Sequence, residues 1–345
     1  MGRKAYLTVL NVVACLSVVI LHTNFTFWWY APSRAWVTSN AIECVFIFAV
    51  PIFFMVSGAT LLDYRRRYTT KDFFKKRAEK TLIPFVFWSI VSVFFTLWHE
   101  GKGAVTLWPI GTLLTDLLNA NYMGPYWFFF SLFSVYISMP MLSAVPEEKR
   151  RSVYGYGIIA AGVINLLIPF LCSLTEGAFR VSGALTVESM GGYLFFVLLG
   201  YWIDRYPIRR RWRVFVYILG LGGLLLQFFG TWGYSVRDGA INSLFKGYLN
   251  VPCALYAAAV FLFFKHFPFD KLPKWFMTLC EFFGGQTFGI YLIHQFIITL
   301  VTDYFNDWDY RSIVFRTLGA FGFFLLSSAI VWILKKLPLI RRIVP

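Results

Sequence analysis

The sequence predicts an all-α, polytopic integral membrane protein with about ten transmembrane helices and both termini cytoplasmic. Composition is the first observation behind this. Of 345 residues, 58% are hydrophobic, 21% aromatic and only 14% charged, with a mean hydropathy of +0.64. A soluble domain carries about 25% charged residues. Second, apolar stretches of membrane-crossing length recur near 6–23, 42–62, 82–98, 126–143, 153–174, 190–204, 214–231, 249–265, 287–302 and 313–334. Third, the cations alternate in density between successive connections. With the amino terminus inside, all of the 32 Lys and Arg fall on the inner side except Arg34, Lys102, Arg180, Arg237, Lys246, Arg311 and Arg316. That asymmetry is the positive-inside pattern, and it supports an even number of spans. It also assigns the net charge of +15 to membrane topology, so no nucleic-acid partner is expected.

The first span follows Met1-Gly2-Arg3-Lys4 and ends before Phe27-Trp28-Trp29-Tyr30. Bulky residues where a cleavage site would need small ones predict an uncleaved signal anchor. Asn11 precedes His22 by eleven residues, three turns or roughly 16 Å, and Lys4 precedes it by five turns. One helix face therefore presents a cation, an amide and an imidazole in order. Lys4 also reads as a topology anchor, and Asn11 as a helix–helix hydrogen bond. An imidazole inside a span is costly, titrates near neutral pH and marks a candidate functional site.

The second span starts with Glu43, at the level of His22 in a hairpin. A carboxylate there is a candidate to orient the imidazole, as a base requires, or else an interfacial group facing water. Pro51 leaves a backbone carbonyl free within this span, and Ser57-Gly58 permits close approach by a helix or a ligand. The loop from Asp63 to Lys80 is the densest basic region and leads into the third span before Pro84. Such a run suits anionic lipid or a phosphorylated ligand. Between the third and fourth spans, residues 107–118 read as a short interfacial helix with Thr115 and Asp116 facing water. Aromatic clusters at 25–30 and 126–130 read as interfacial belts. In the ninth span Tyr291, His294 and Gln295 share a face. Five scattered cysteines and four histidines give no disulfide pattern and no metal site. The whole of 1–345 reads as one membrane domain with no appended soluble domain.

These stretches together resemble the membrane-bound acyltransferase-3 family, bacterial O-acyltransferases that modify cell-surface glycans. The resemblance rests on Leu10 to His22, on Ala49-Val-Pro-Ile-Phe-Phe-Met-Val-Ser-Gly58, and on Lys76-Arg77-Ala-Glu-Lys80-Thr-Leu-Ile-Pro84. Tyr126-Trp127 through Tyr136 and Pro140, then Phe288-Gly-Ile-Tyr-Leu-Ile-His294, complete it in family order. It implies that acyl-CoA, with acetyl-CoA favoured, enters as co-substrate from the cytoplasm. The acyl group would then reach a hydroxyl of a cell-surface or lipid-linked glycan, in a bacterial plasma membrane, with no permanently bound cofactor and no metal. His22 matches the family's first-span histidine, a general base or acyl-transfer residue, with Glu43 and His294 as further catalytic candidates. Lys4, Asn11, Lys76, Arg77 and Lys80 are the candidates for binding acyl-CoA, and Ser57, Trp127 and Tyr291 for the cavity or acceptor. Asn11 departs from the pattern, since many members have Arg there, which leaves Lys4 or the basic loop to supply the charge. Partners beyond the two substrates are membrane lipids, and a homodimer is compatible with the chain. The alternative reading is a non-enzymatic transporter or flippase of a glycan or lipid-linked sugar.

Overall fold

The computed structural model describes residues 2–101, 103, 105, 109–305, 308–338 and 340–344, with the side chains of residues 2–4 and 270 outside the description. Among these residues every regular element is helical. Each of the ten apolar stretches is largely helical, and seven helical runs, some built of more than one helix, are long and apolar enough to cross a membrane. The stretches at 190–204, 249–265 and 287–302 form the other three. Two of these are short, at 13 and 16 residues, and His294-Gln295 interrupts the apolar surface of the third.

The first helix, α1 (Gly2–Thr23), is the hub of the bundle. Around it lie α2 (Arg34–Phe46), α3 (Ala49–Leu61), α12 (Val251–His266), α13 (Lys274–Gly284), α14 (Thr287–Tyr304) and α15 (Ala320–Lys336), and it packs against all six. Leu10, Ala14, Val18 and Val19 are accordingly buried. A helix apolar on nearly every side has no use for a solvated face, so its few polar residues point at protein.

The second apolar stretch is two helices rather than one. Ser33 caps α2 through its hydroxyl, which accepts from the Trp36 amide at 3.2 Å. The break falls at Ile47–Phe48, one turn before Pro51, whose missing N–H leaves the Ile47 carbonyl without its helical donor. Gly58 on α3 and Gly200 on α10 (Tyr193–Arg205) set the spacing of these two helices. A Cβ on Gly58 would collide with the Val197 carbonyl, and one on Gly200 with that of Met55. Ser57-Gly58 thus serves helix approach at this point.

Three further differences separate structure from expectation. The basic residues 75–80 are helical, not a loop. They belong to α4 (Thr70–Arg77) and to a widened turn that joins it to α5 (Ile83–His99). The interfacial helix α6 is described from Ile110 to Leu118, and its start at 107 lies outside the described residues. Asp116 there does not simply face water, because it accepts from Asn121 and the Tyr122 hydroxyl. Finally, α13 lies in none of the ten apolar stretches. The remaining helices are α7 (Trp127–Ser143), α8 (Glu147–Ala161), α9 (Ile168–Leu174) and α11 (Arg210–Asp238).

Candidate active site

The two intramembrane histidines meet. His22 Nδ1 lies 2.7 Å from His294 Nε2, with the rings nearly parallel at 14°. The contact joins α1 to α14, and His294 is fully buried. The other nitrogen of His294, Nδ1, is 2.7 Å from the Tyr291 carbonyl and 3.1 Å from that of Ile290.

This arrangement fixes the protons. Carbonyl oxygens only accept, so His294 Nδ1 carries hydrogen. In a neutral ring Nε2 is then an acceptor, and His22 must donate to it from Nδ1. The lone pair of His22 is left on Nε2. His294 thus occupies the place that a carboxylate takes in an Asp-His pair: it sets the tautomer and orientation of the His22 imidazole.

Glu43 does not take that role, which corrects the expectation from the hairpin. It lies at the anticipated level, but both of its oxygens are engaged elsewhere. Oε2 is 2.7 Å from Lys246 Nζ, and Oε1 accepts from Asn24 Nδ2 at 3.1 Å. Asn24 Oδ1 in turn accepts from Ser39 at 2.7 Å and from the buried Arg316 at 3.3 Å. Arg316 also donates to Thr38 Oγ1 and to the Ala35 and Ser312 carbonyls. Lys246 lies 4.0 Å from the Phe27 ring centroid. Buried charges need such saturation, since each unpaired one costs several kcal/mol.

Polar residues also mark a route along α1. A cavity of about 180 Å³ lies between α1, α3, α7 and α14, lined by Asn11, Phe53, Ser57, Tyr136 and Tyr291 among others. Tyr291 connects it to the pair, its ring centroid 5.6 Å from that of His294 and its hydroxyl donating to the Pro125 carbonyl at 2.7 Å. Asn11 donates to Thr287 Oγ1 at 2.8 Å, so it is a helix–helix bond and a cavity wall at once. Asn11 and Val56 are shared with a second cavity, which also contains Leu7 and Thr60. Leu7 and Thr60 in turn line a third cavity with Asp63, Arg66, Arg67 and Arg205. Three adjoining cavities therefore run from a basic mouth to the wall beside His294.

Of the other sequence candidates, Arg77 is half-buried, its guanidinium carbon 5.6 Å from the Tyr136 ring centroid. Its Nε is buried with no hydrogen-bond partner among the described residues. Lys76 and Lys80 are exposed, and Lys76 sits over the Tyr68 ring. Ser57 bonds back to the Phe53 carbonyl at 2.9 Å. Trp127 stacks on Tyr248, lies tilted against Tyr193 and is not among the residues that line these cavities. The Lys4 side chain lies outside the described residues. Arg66 and Arg67 belong to the basic region 63–80 that the sequence offers to lipid or a phosphorylated ligand, whereas Arg205 reads there only as a topology charge. Lys246 and Arg316 were visible as two of the few cations on the wrong side of the charge asymmetry.

A family model described as an acyltransferase domain matches residues 4–334, nearly the whole chain. The chain belongs to the acyltransferase-3 family. It is a membrane acyltransferase, and the histidine pair and its cavities lie within the matched domain. No curated protein and no solved structure matches this acyltransferase.

Proposed function

We propose that this acyltransferase moves an acyl group, acetyl by preference, from acyl-CoA to a hydroxyl of a cell-surface or lipid-linked glycan, with His22 as the base. The observation that carries the proposal is the 2.7 Å contact from His22 Nδ1 to His294 Nε2, which leaves His22 Nε2 free to accept a proton. Acyl-CoA enters at the basic, cytoplasmic end. The cavities past Leu7, Asn11 and Ser57 suit its slender pantetheine arm. Phosphates suit Arg77, whose Nε has no hydrogen-bond partner among the described residues, with Lys76 and Lys80 exposed in the same stretch. Arg and Lys both bind phosphate well.

The steps balance without a further reactant. His22 Nε2 takes the proton of the acceptor hydroxyl as its oxygen attacks the thioester carbonyl carbon. The tetrahedral species collapses with cleavage of the C–S bond. The proton on Nε2 then passes to the departing thiolate, giving free CoA thiol and an O-acyl ester. Positive charge on His22 during this cycle is shared with His294 through their hydrogen bond. A base of this kind contributes about 10²–10⁴ in rate. The alternative of a transient acyl group on Nε2 uses the same free lone pair.

Radiolabelled acetyl-CoA presented to protein in nanodiscs tests this, with wild type beside His22→Ala. Turnover or bound label in wild type that is lost in a folded variant supports the proposal. Equal turnover in both rejects it.

A further inference from the structure

A further cavity lies away from the proposed donor route. It measures about 680 Å³ and lies at the other end of α1, within the range of about 300–1,000 Å³ usual for small-molecule sites. Its walls include Trp29, Trp36, Trp308 and Tyr310, with Asp309 and Arg311 between them. Phe25 and Thr26, three and four residues beyond His22, complete the side toward the histidine pair. We infer that this cavity holds a pyranose ring of the acceptor, stacked on Trp29 and Trp308, with its hydroxyls taken by Asp309 and Arg311.

The lining matches the two-faced chemistry of a sugar. The C–H face of a pyranose is apolar and slightly positive, and it suits the negative face of an indole. Its rim carries hydroxyls that are both donors and acceptors. A carboxylate and a guanidinium two residues apart answer both roles. Asp309 Oδ1 accepts one bond, from the Arg311 amide at 3.0 Å, and a carboxylate has further lone pairs to offer. A lipid tail would leave these charges desolvated without compensation.

The floor is also built rather than incidental. Trp36 is fully buried, its ring stacks on Phe27 at 19°, and its indole N–H donates to the Phe27 carbonyl at 2.9 Å. Arg316 ties Asn24 to Ala35 and Thr38, which holds the segment that bears Trp29 against the start of α2. Tryptophans that only mark a membrane boundary need no such floor. Donor and acceptor would thus approach His22 from opposite ends. The link to catalysis rests on the acyl-transfer reading, whereas sugar binding in the cavity can be measured without it.

Protein in nanodiscs is titrated with methyl pyranosides of the gluco, galacto, manno, rhamno and N-acetylglucosamine series, with tryptophan fluorescence as the readout. Acetyl-CoA binding is measured on the same samples by calorimetry. Saturable quenching by at least one glycoside is expected, weakened about tenfold or more in Trp308→Ala and in Asp309→Asn. Trp308→Phe, which keeps an aromatic face, should retain most of the binding, and acetyl-CoA affinity should be unchanged in all three. Absence of quenching by every glycoside, or equal binding by wild type and both weakened variants, overturns the inference. So does equal quenching by octanol, which would mark a lipid contact. Glycoside binding without any acetyl-CoA binding would reject the acyl-CoA reading and leave the sugar site standing.

Discussion

Two buried polar clusters sit within a turn of each other at one end of α1, and they are finished to different degrees. In the cluster of Asn24, Glu43, Lys246 and Arg316, each carboxylate oxygen and each guanidinium nitrogen has a partner. In the pair of His22 and His294, three ring nitrogens are engaged, and His22 Nε2 has no partner among the described residues. A saturated network holds helices in place. An unsaturated one, held by neighbours that are themselves saturated, has an atom available for chemistry. The position of a charged group in the sequence does not separate the two cases, because Glu43 and His22 occupy the same level.

The contrast can be broken from either side. The largest effect expected is on rate: His22→Ala should lower acyl transfer by about 10²–10⁴-fold, with the melting temperature little changed, as read by transfer assays and thermal denaturation on one preparation. The scaffold should respond in the opposite way. Lys246→Met leaves the Glu43 carboxylate buried and unpaired, which should cost about 3–5 kcal/mol of stability. The double variant Glu43→Leu/Lys246→Met should recover most of that loss in denaturant or thermal melts, and a double variant as unstable as the single would contradict the network. His294→Ala, which frees the His22 tautomer, should slow transfer by about 10–10²-fold with KM for acetyl-CoA unchanged. His294→Gln, whose amide oxygen can accept from His22 Nδ1, should restore part of the rate. The smallest effect belongs to Asn11→Val, which removes one interhelical hydrogen bond worth about 0.6 kcal/mol and should change the melting temperature slightly.

The sequence made some of this readable. Helical spacing put Asn11 and His22 on one face, and Asn11 and the wall of the second cavity do follow that face. The apolar periods located the ten helical stretches. What spacing cannot supply is which helix packs on which. His22 and His294 are 272 positions apart, and nothing local to either identifies the other as its partner. Level in a hairpin pairs Glu43 with the nearest histidine, but the stronger demand on a buried carboxylate is a cation. That cation was legible in another way. Lys246 and Arg316 depart from the charge asymmetry that organises the other cations, and both are buried in the network around Glu43 and Asn24. The break between α2 and α3 follows from Pro51, whereas the amphipathic α13, at 11 residues, is too short to stand out as an apolar run of membrane-crossing length.

The tautomer of the histidine pair is the claim on which the rest depends, and ¹⁵N solid-state NMR of histidine-labelled protein in bilayers reads it directly. His22→Gln and His294→Gln samples assign the two rings. The account predicts hydrogen on Nδ1 of both, with a bare Nε2 on His22 and a coupling across the hydrogen bond from His22 Nδ1 to His294 Nε2. Hydrogen on His22 Nε2 in the resting enzyme, or no coupling between the two rings, would contradict it.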